Sequence, residues 1–177
     1  MPPETIKRIA LIGPESSGKT TLAGQLAEHY KTIWVPEYAR EYMEKLNRAY
    51  TADDILIIAK EQLRIEEELI SKANKLLFID TEFIIAKIWC EDIFGSCPEW
   101  ILNNIEEKKY DLYLLTEPDL EWKHDPVREN PYRREYFFEL YLKEIKSGNF
   151  NYEIISGTGD RLPNAINAVE KFLNKKE

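Results

Sequence analysis

Short, wholly apolar runs alternate along this chain with longer stretches in which apolar residues recur every three or four positions. "RIALIG" carries four consecutive apolar residues, Ile9 to Ile12, and is closed by Gly13. A run that short and branched reads as a strand buried on both faces. "TTLAGQLAEHYK" then sets Leu22, Leu26 and Tyr30 four apart, one face of a helix. "TIWVP" is a second strand stopped by Pro36, "LLFID" a third that ends in an acid, "YDLYLLTEPD" a fourth that gives out at Pro118, and "YEIISGTG" a fifth.

Between them lie helical patterns. "EYAREYMEKLN" is one. A long helix from about Ala52 to Asn74 follows, opened by Thr51 as cap with Asp53 and Asp54 in its first turn. "FIIAKIWCEDIF" is another. A polar segment beginning "WKHDPVREN" becomes a helix closed by Gly148, and "LPNAINAVEKFLNKK" is the last. Strand and helix in strict alternation predict an α/β, three-layer domain. Its central parallel sheet has about five strands, with helices on both faces. Ligands of such sheets bind beyond the carboxyl ends of the strands.

The first strand end carries "GPESSGKT", a match to G-x-x-x-x-G-K-[ST] with a strand before it and a helix after it. The bare pattern arises by chance in roughly one chain in 150 of this length. Gly13 and Gly18 let backbone amides curl inward, so that several N–H groups and the positive end of a helix converge on one phosphate. Lys19 reaches the β- and γ-phosphates, and Thr20 offers a hydroxyl to Mg²⁺. Glu15, Ser16, Ser17 and Thr21 complete the candidate nucleotide-binding set, so ATP and Mg²⁺ are the expected cofactors.

Three kinds of phosphate-loop protein make different demands on the rest of the chain. A switch GTPase needs D-x-x-G directly after its second Mg²⁺-binding strand and an [NT]-K-x-D; Asp80 at the end of "LLFID" has no glycine three residues on, and the nearest match to the second motif is the terminal "NKKE". A motor or AAA-type ATPase ordinarily has a longer chain and a second acid directly after Asp80, where Thr81 stands with Glu82 one further on. That weakens a water-activating pair without excluding it. A small-molecule kinase fits the size and asks mainly for positioning and positive charge. Residues of about 119–136 read as a lid, with Arg128, Arg133 and Arg134 able to close on the phosphates.

Acids at two strand ends, Glu37 and Asp80, are candidates to orient and deprotonate an acceptor hydroxyl; Asp80 also suits the magnesium. Tyr38, Arg40, Tyr42 and Trp89 suit a flat, hydroxyl-bearing acceptor such as a nucleoside. The aromatic residues fit core packing as well. "SGTGDRL" leaves two readings open: Gly157 to Arg161 border the adenine, or form a plain strand-to-helix turn.

Bulk properties narrow the partners. At 177 residues the chain suits one domain, 1–177, burying roughly 70% of its unfolded surface. It is 44% hydrophobic and 32% charged, with net charge −8 and pI near 5.0, which opposes a nucleic-acid partner over most of the surface. Cys90, Cys97, His29 and His124 lack metal-ligand spacing. The opening residues are too polar for a signal peptide, and no run is long enough to span a bilayer, so a cytoplasmic setting is expected. The long helix could support a homo-oligomer.

"ALIGPESSGKTTL", "VPEYAREY", "LLFIDTEF" and "EWKHDPVR", in this order, resemble the ribosylnicotinamide kinase domain of NadR-type proteins. The likeness runs from about Lys7 to Phe172. It implies a P-loop kinase fold and ATP-dependent phosphorylation of the 5′-hydroxyl of nicotinamide riboside. By the same resemblance Gly13, Gly18, Lys19 and Thr20 hold ATP and Mg²⁺, and Glu37, Tyr38 and Arg40 face the riboside. Asp80 sits at the reaction centre, and Asp125 and Arg128 belong to the lid. The chain departs from multidomain members in having no H-x-G-H motif, which points to a stand-alone kinase. It also carries Asp125-Pro126 where many have D-G, a stiffer hinge.

Overall fold

The computed structural model describes residues 5–107 and 110–175; the opening "MPPE" and the last two residues of the "NKKE" tail lie outside them. Five strands form one sheet: β1 (Lys7–Ile12), β2 (Ile33–Val35), β3 (Leu76–Asp80), β4 (Leu112–Thr116) and β5 (Tyr152–Ile155). Their spatial order is β2-β3-β1-β4-β5, and every neighbouring pair is parallel. β1 lies at the centre between β3 and β4, and all three are inner strands whose residues, from Ile9, Leu76 and Leu112 onward, are buried on both faces.

Period-two alternation decides which side chain enters which layer. Ile9, Leu11, Phe78, Leu112 and Leu114 point to one face and pack on Leu22 and Leu26 of α1 (Lys19–His29) and Val169 of α7 (Arg161–Leu173). Ala10, Ile12, Leu77, Ile79, Tyr113 and Leu115 point to the other. There they meet Ile84 and Ile88 of α4 (Phe83–Phe94) and Phe137, Phe138 and Tyr141 of α6 (Arg134–Ser147).

α2 (Tyr38–Lys45) and α3 (Ala52–Leu69) flank the β2 edge. Thr51 caps α3 reciprocally: its hydroxyl accepts the Asp54 N–H, and the Asp54 carboxylate accepts the Thr51 N–H at 2.7 Å. The long helix stops five residues before the Asn74 expected. It ends at Leu69, tightens into a 3₁₀ turn over Ile70–Lys72, and turns extended at Ala73 to enter β3. A further helix, α5 (Glu99–Glu107), was not anticipated. It begins just after Pro98 and plants Ile101 in a third apolar cluster with Ile55, Phe83 and Cys90.

Candidate active site

The phosphate loop joins β1 to α1 and is shaped by its backbone. Gly13 has φ 153°, and a Cβ there would lie 2.2 Å from Thr116 Oγ1 and 2.7 Å from Thr116 O, so no other residue fits. Gly18 has φ 82° and would press a Cβ to 2.9 Å from Leu120 Cδ1. Ser17 is buried, its hydroxyl 2.7 Å from Pro14 O and 2.6 Å from Thr116 Oγ1. Its side chain thus braces the loop from behind against β4.

Lys19 Nζ donates to Gly13 O at 2.8 Å and Pro14 O at 2.9 Å, lying along the loop it serves. Thr20 Oγ1 donates to Asp80 Oδ2 at 2.6 Å, joining α1 to the end of β3. Asp80 is fully buried. Burial and the charge of nearby Glu37 raise its pKa above the ordinary carboxyl value, against the opposing pull of Lys19 and Thr20. Directly after it the backbone bends sharply. Thr81 has φ 74°, uncommon for a branched residue, and the turn brings Glu82 round to accept the Ile84 N–H at 2.9 Å and cap α4. Burial pushes Glu82 up to about 8, although backbone N–H groups of α4 oppose it.

A cleft of about 210 Å³ opens above the loop, walled by Glu37, Arg40 and Met43, by Trp89 and Asp92 of α4, and by Val127 to Asn130. A smaller, mainly apolar recess of about 40 Å³ continues below Glu37 and Trp89 toward Gln62, Glu66 and Glu82. Glu37, Lys19, Thr20 and Arg128 therefore border one space, with Asp80 buried beneath Thr20.

The aromatic residues of α2 are placed otherwise than expected. Helical spacing turns Ala39, Arg40 and Met43 to the cleft, whereas the rings of Tyr38 and Tyr42 lie outside it, 6.1 Å apart and tilted by 58°. Tyr42 donates its hydroxyl to Asp54 at 2.6 Å. Trp89 does line the cleft, edge-on to Tyr50 at 5.2 Å.

The segment between β4 and α6 is docked on the loop, and its last three expected residues belong to α6. Arg40 pairs with Asp125 at 2.7 Å. The Val127 N–H, and then Arg40, hold the Asp125 carboxyl below its ordinary range. The three lid arginines part company. Arg128 borders the cleft and donates to Lys123 O at 2.7 Å. Arg133 instead forks onto Asp92 at 2.8 and 2.5 Å, with its guanidinium stacked on Phe137. Arg134 reaches the loop itself, donating to Ser16 O at 3.5 Å and Leu120 O at 2.8 Å. Arg161 is buried at the start of α7, donating to Ile155 O at 3.0 Å and pairing with Asp119. It braces the ends of β4 and β5 from below the cleft.

Gln62 escaped the sequence reading. It accepts the Tyr38 N–H at 2.8 Å and donates to Pro36 O at 3.1 Å and Asp80 O at 3.3 Å, tying both acid-bearing strand ends together around Glu37. Its signal was an amide in the buried stripe Ile55, Ile58, Ala59, Gln62, Glu66, where only apolar residues are expected.

A family model described as an AAA domain (AAA_28) matches residues 8–161, so the chain belongs to that family of P-loop domains. The trifunctional NAD biosynthesis/regulator protein NadR of Salmonella typhimurium is 28% identical over 158 residues, as is that of Escherichia coli K12. Each match takes in 85% of this chain and 38% of the relative, so the chain spans well under half the length of these curated proteins. The crystal structure of NadR in complex with NR superposes with TM-score 0.78 at 26% identity, over 97% of this chain and 52% of that one. Thymidylate kinase from Candida albicans gives 0.65 at 16% identity, over 97% and 94%, and shares the fold. The sheet order and these neighbours make this a P-loop kinase fold, as expected from the sequence. Among the described residues no helix is long and apolar enough to cross a membrane.

Proposed function

We propose that the chain is an ATP-dependent kinase that phosphorylates the 5′-hydroxyl of nicotinamide riboside and yields nicotinamide mononucleotide. The observation that carries this reading is the likeness to NadR in complex with NR, over nearly the whole of this chain. The cleft has the parts such a reaction asks for. On one side are a phosphate loop with Lys19 at its end and a second cation, Arg128. On the other is an acid, Glu37, facing the same space.

Thr20 and Asp80 suit Mg²⁺: a hydroxyl and a carboxylate oxygen stand 2.6 Å apart beside the loop, and this cation takes few protein ligands and fills its shell with phosphate and water. When bound it neutralises charge on the β- and γ-phosphates. Lys19 leaves its loop carbonyls to follow the γ-phosphate, and Glu37 accepts the proton of the attacking hydroxyl. Arg40, held by Asp125, fixes the lid to the acceptor wall, and Trp89 offers a flat apolar face to a planar base.

The test is ADP release with Mg·ATP alone and with nicotinamide riboside, other ribonucleosides or deoxynucleosides. A rate increase confined to nicotinamide riboside is expected. An increase with a different nucleoside moves the acceptor, and steady release indifferent to all of them replaces the kinase with an ATPase that acts with a protein partner.

A further inference from the structure

Glu15 stands inside the phosphate loop at a position for which the G-x-x-x-x-G-K-[ST] pattern asks for no particular side chain. Its carboxylate is wholly engaged with the lid. It accepts the Glu129 N–H, 3.2 Å from each oxygen, and the Asn130 N–H at 2.9 Å. Its neighbour Ser16 accepts the Lys123 N–H at 3.0 Å, and Arg134 reaches the Ser16 carbonyl. Two consecutive loop residues thus hold a segment more than 100 residues away in sequence.

A carboxylate beside this loop competes with a phosphate, because the loop amides, the start of α1 and Lys19 all gather negative charge. With the lid down, the charge of Glu15 is spent on two lid amides.

We propose that Glu15 is a positioning residue that latches the lid over the phosphate loop, so that lid closure and nucleotide retention are one event. It acts through the lid backbone rather than by touching nucleotide, and it places Val127 to Asn130, Arg128 included, along the cleft. The latch itself is independent of acceptor identity; only its effect on turnover rests on the kinase reading.

The test compares the full chain with Glu15→Ala and Glu15→Gln by hydrogen exchange at the amides of Glu129 and Asn130, and by release of a fluorescent ADP analogue. Neither readout needs an acceptor, so a chain that phosphorylates no nucleoside still tests the latch. Losing a charge-assisted hydrogen-bond acceptor should speed lid exchange and ADP release by about tenfold in the alanine variant. Glutamine keeps one acceptor oxygen and should recover part of both. Amides in α7 serve as the check on folding. Should Glu15→Ala disturb them, Ser16→Ala provides the same test at the Lys123 amide. Lid exchange equal to wild type in Glu15→Ala overturns the proposal, as does faster exchange with ADP release unchanged.

Discussion

The two walls of the cleft are made in opposite ways. The phosphate wall is one continuous segment, Ile12 to Thr20, whose shape follows from two glycines at positive φ and a buried serine behind them. The acceptor wall is assembled from the end of β2, the stripe of α3, the bend after β3, the face of α4 and the lid. The first presents backbone and tolerates few substitutions. The second presents side chains whose places depend on contacts across the whole chain, and under the proposed function that is where one acceptor is told from another.

The sharpest break between the walls should come at Lys19. Its Nζ donates to two loop carbonyls rather than to core groups, so Lys19→Ala should lower kcat/KM on the order of 10³-fold while the melting temperature stays near wild type. A large fall in melting temperature would put Lys19 in the structural core instead.

Glu82 tests what burying acids under the acceptor wall does to stability. The unfolded chain releases this proton near the ordinary carboxyl value of 4.5, whereas folded Glu82 keeps it to about 8, so stability falls as pH rises through that window. Glu82→Gln keeps an acceptor for the Ile84 N–H and removes that dependence. Denaturant titration should find the variant more stable by a few kcal/mol at pH 8 and equal to wild type at pH 4. Equal pH profiles would contradict the raised pKa.

Glu37→Gln separates the walls kinetically: transfer should fall roughly 10²-fold while ADP affinity is unchanged. Equal losses in both would remove Glu37 from the acceptor side. Gln62→Leu is the mildest test. It strands the Tyr38 N–H and should cost about 2 kcal/mol of stability, together with a lower kcat that reflects a misplaced Glu37. Unchanged kcat would show that Glu37 is positioned without it.

What could be read from the sequence divides along the same line. All five strands, six of the helices and the loop were visible because each is set by local periodicity or by glycine spacing. Asp80 was visible because it closes an apolar run. Residues whose roles depend on long-range partners were not. The spacing of Tyr38 and Tyr42 showed a shared helix face but not which way that face turns, and the structure turns it toward Asp54. Arg133 looked equivalent to its neighbours until Asp92, 41 residues earlier, claimed it. Gln62 stands out as an amide in the buried stripe of α3, but its partners, like those of Thr116, become visible only where strand ends meet.

The most direct measurement is of products: the chain incubated with Mg·ATP and nicotinamide riboside, with ADP and phosphorylated riboside quantified together. ADP and nicotinamide mononucleotide should appear in equal amounts and both should vanish in Lys19→Ala. ADP that accumulates with no phosphorylated riboside would contradict the two-walled kinase, leaving a nucleotide loop whose partner lies elsewhere.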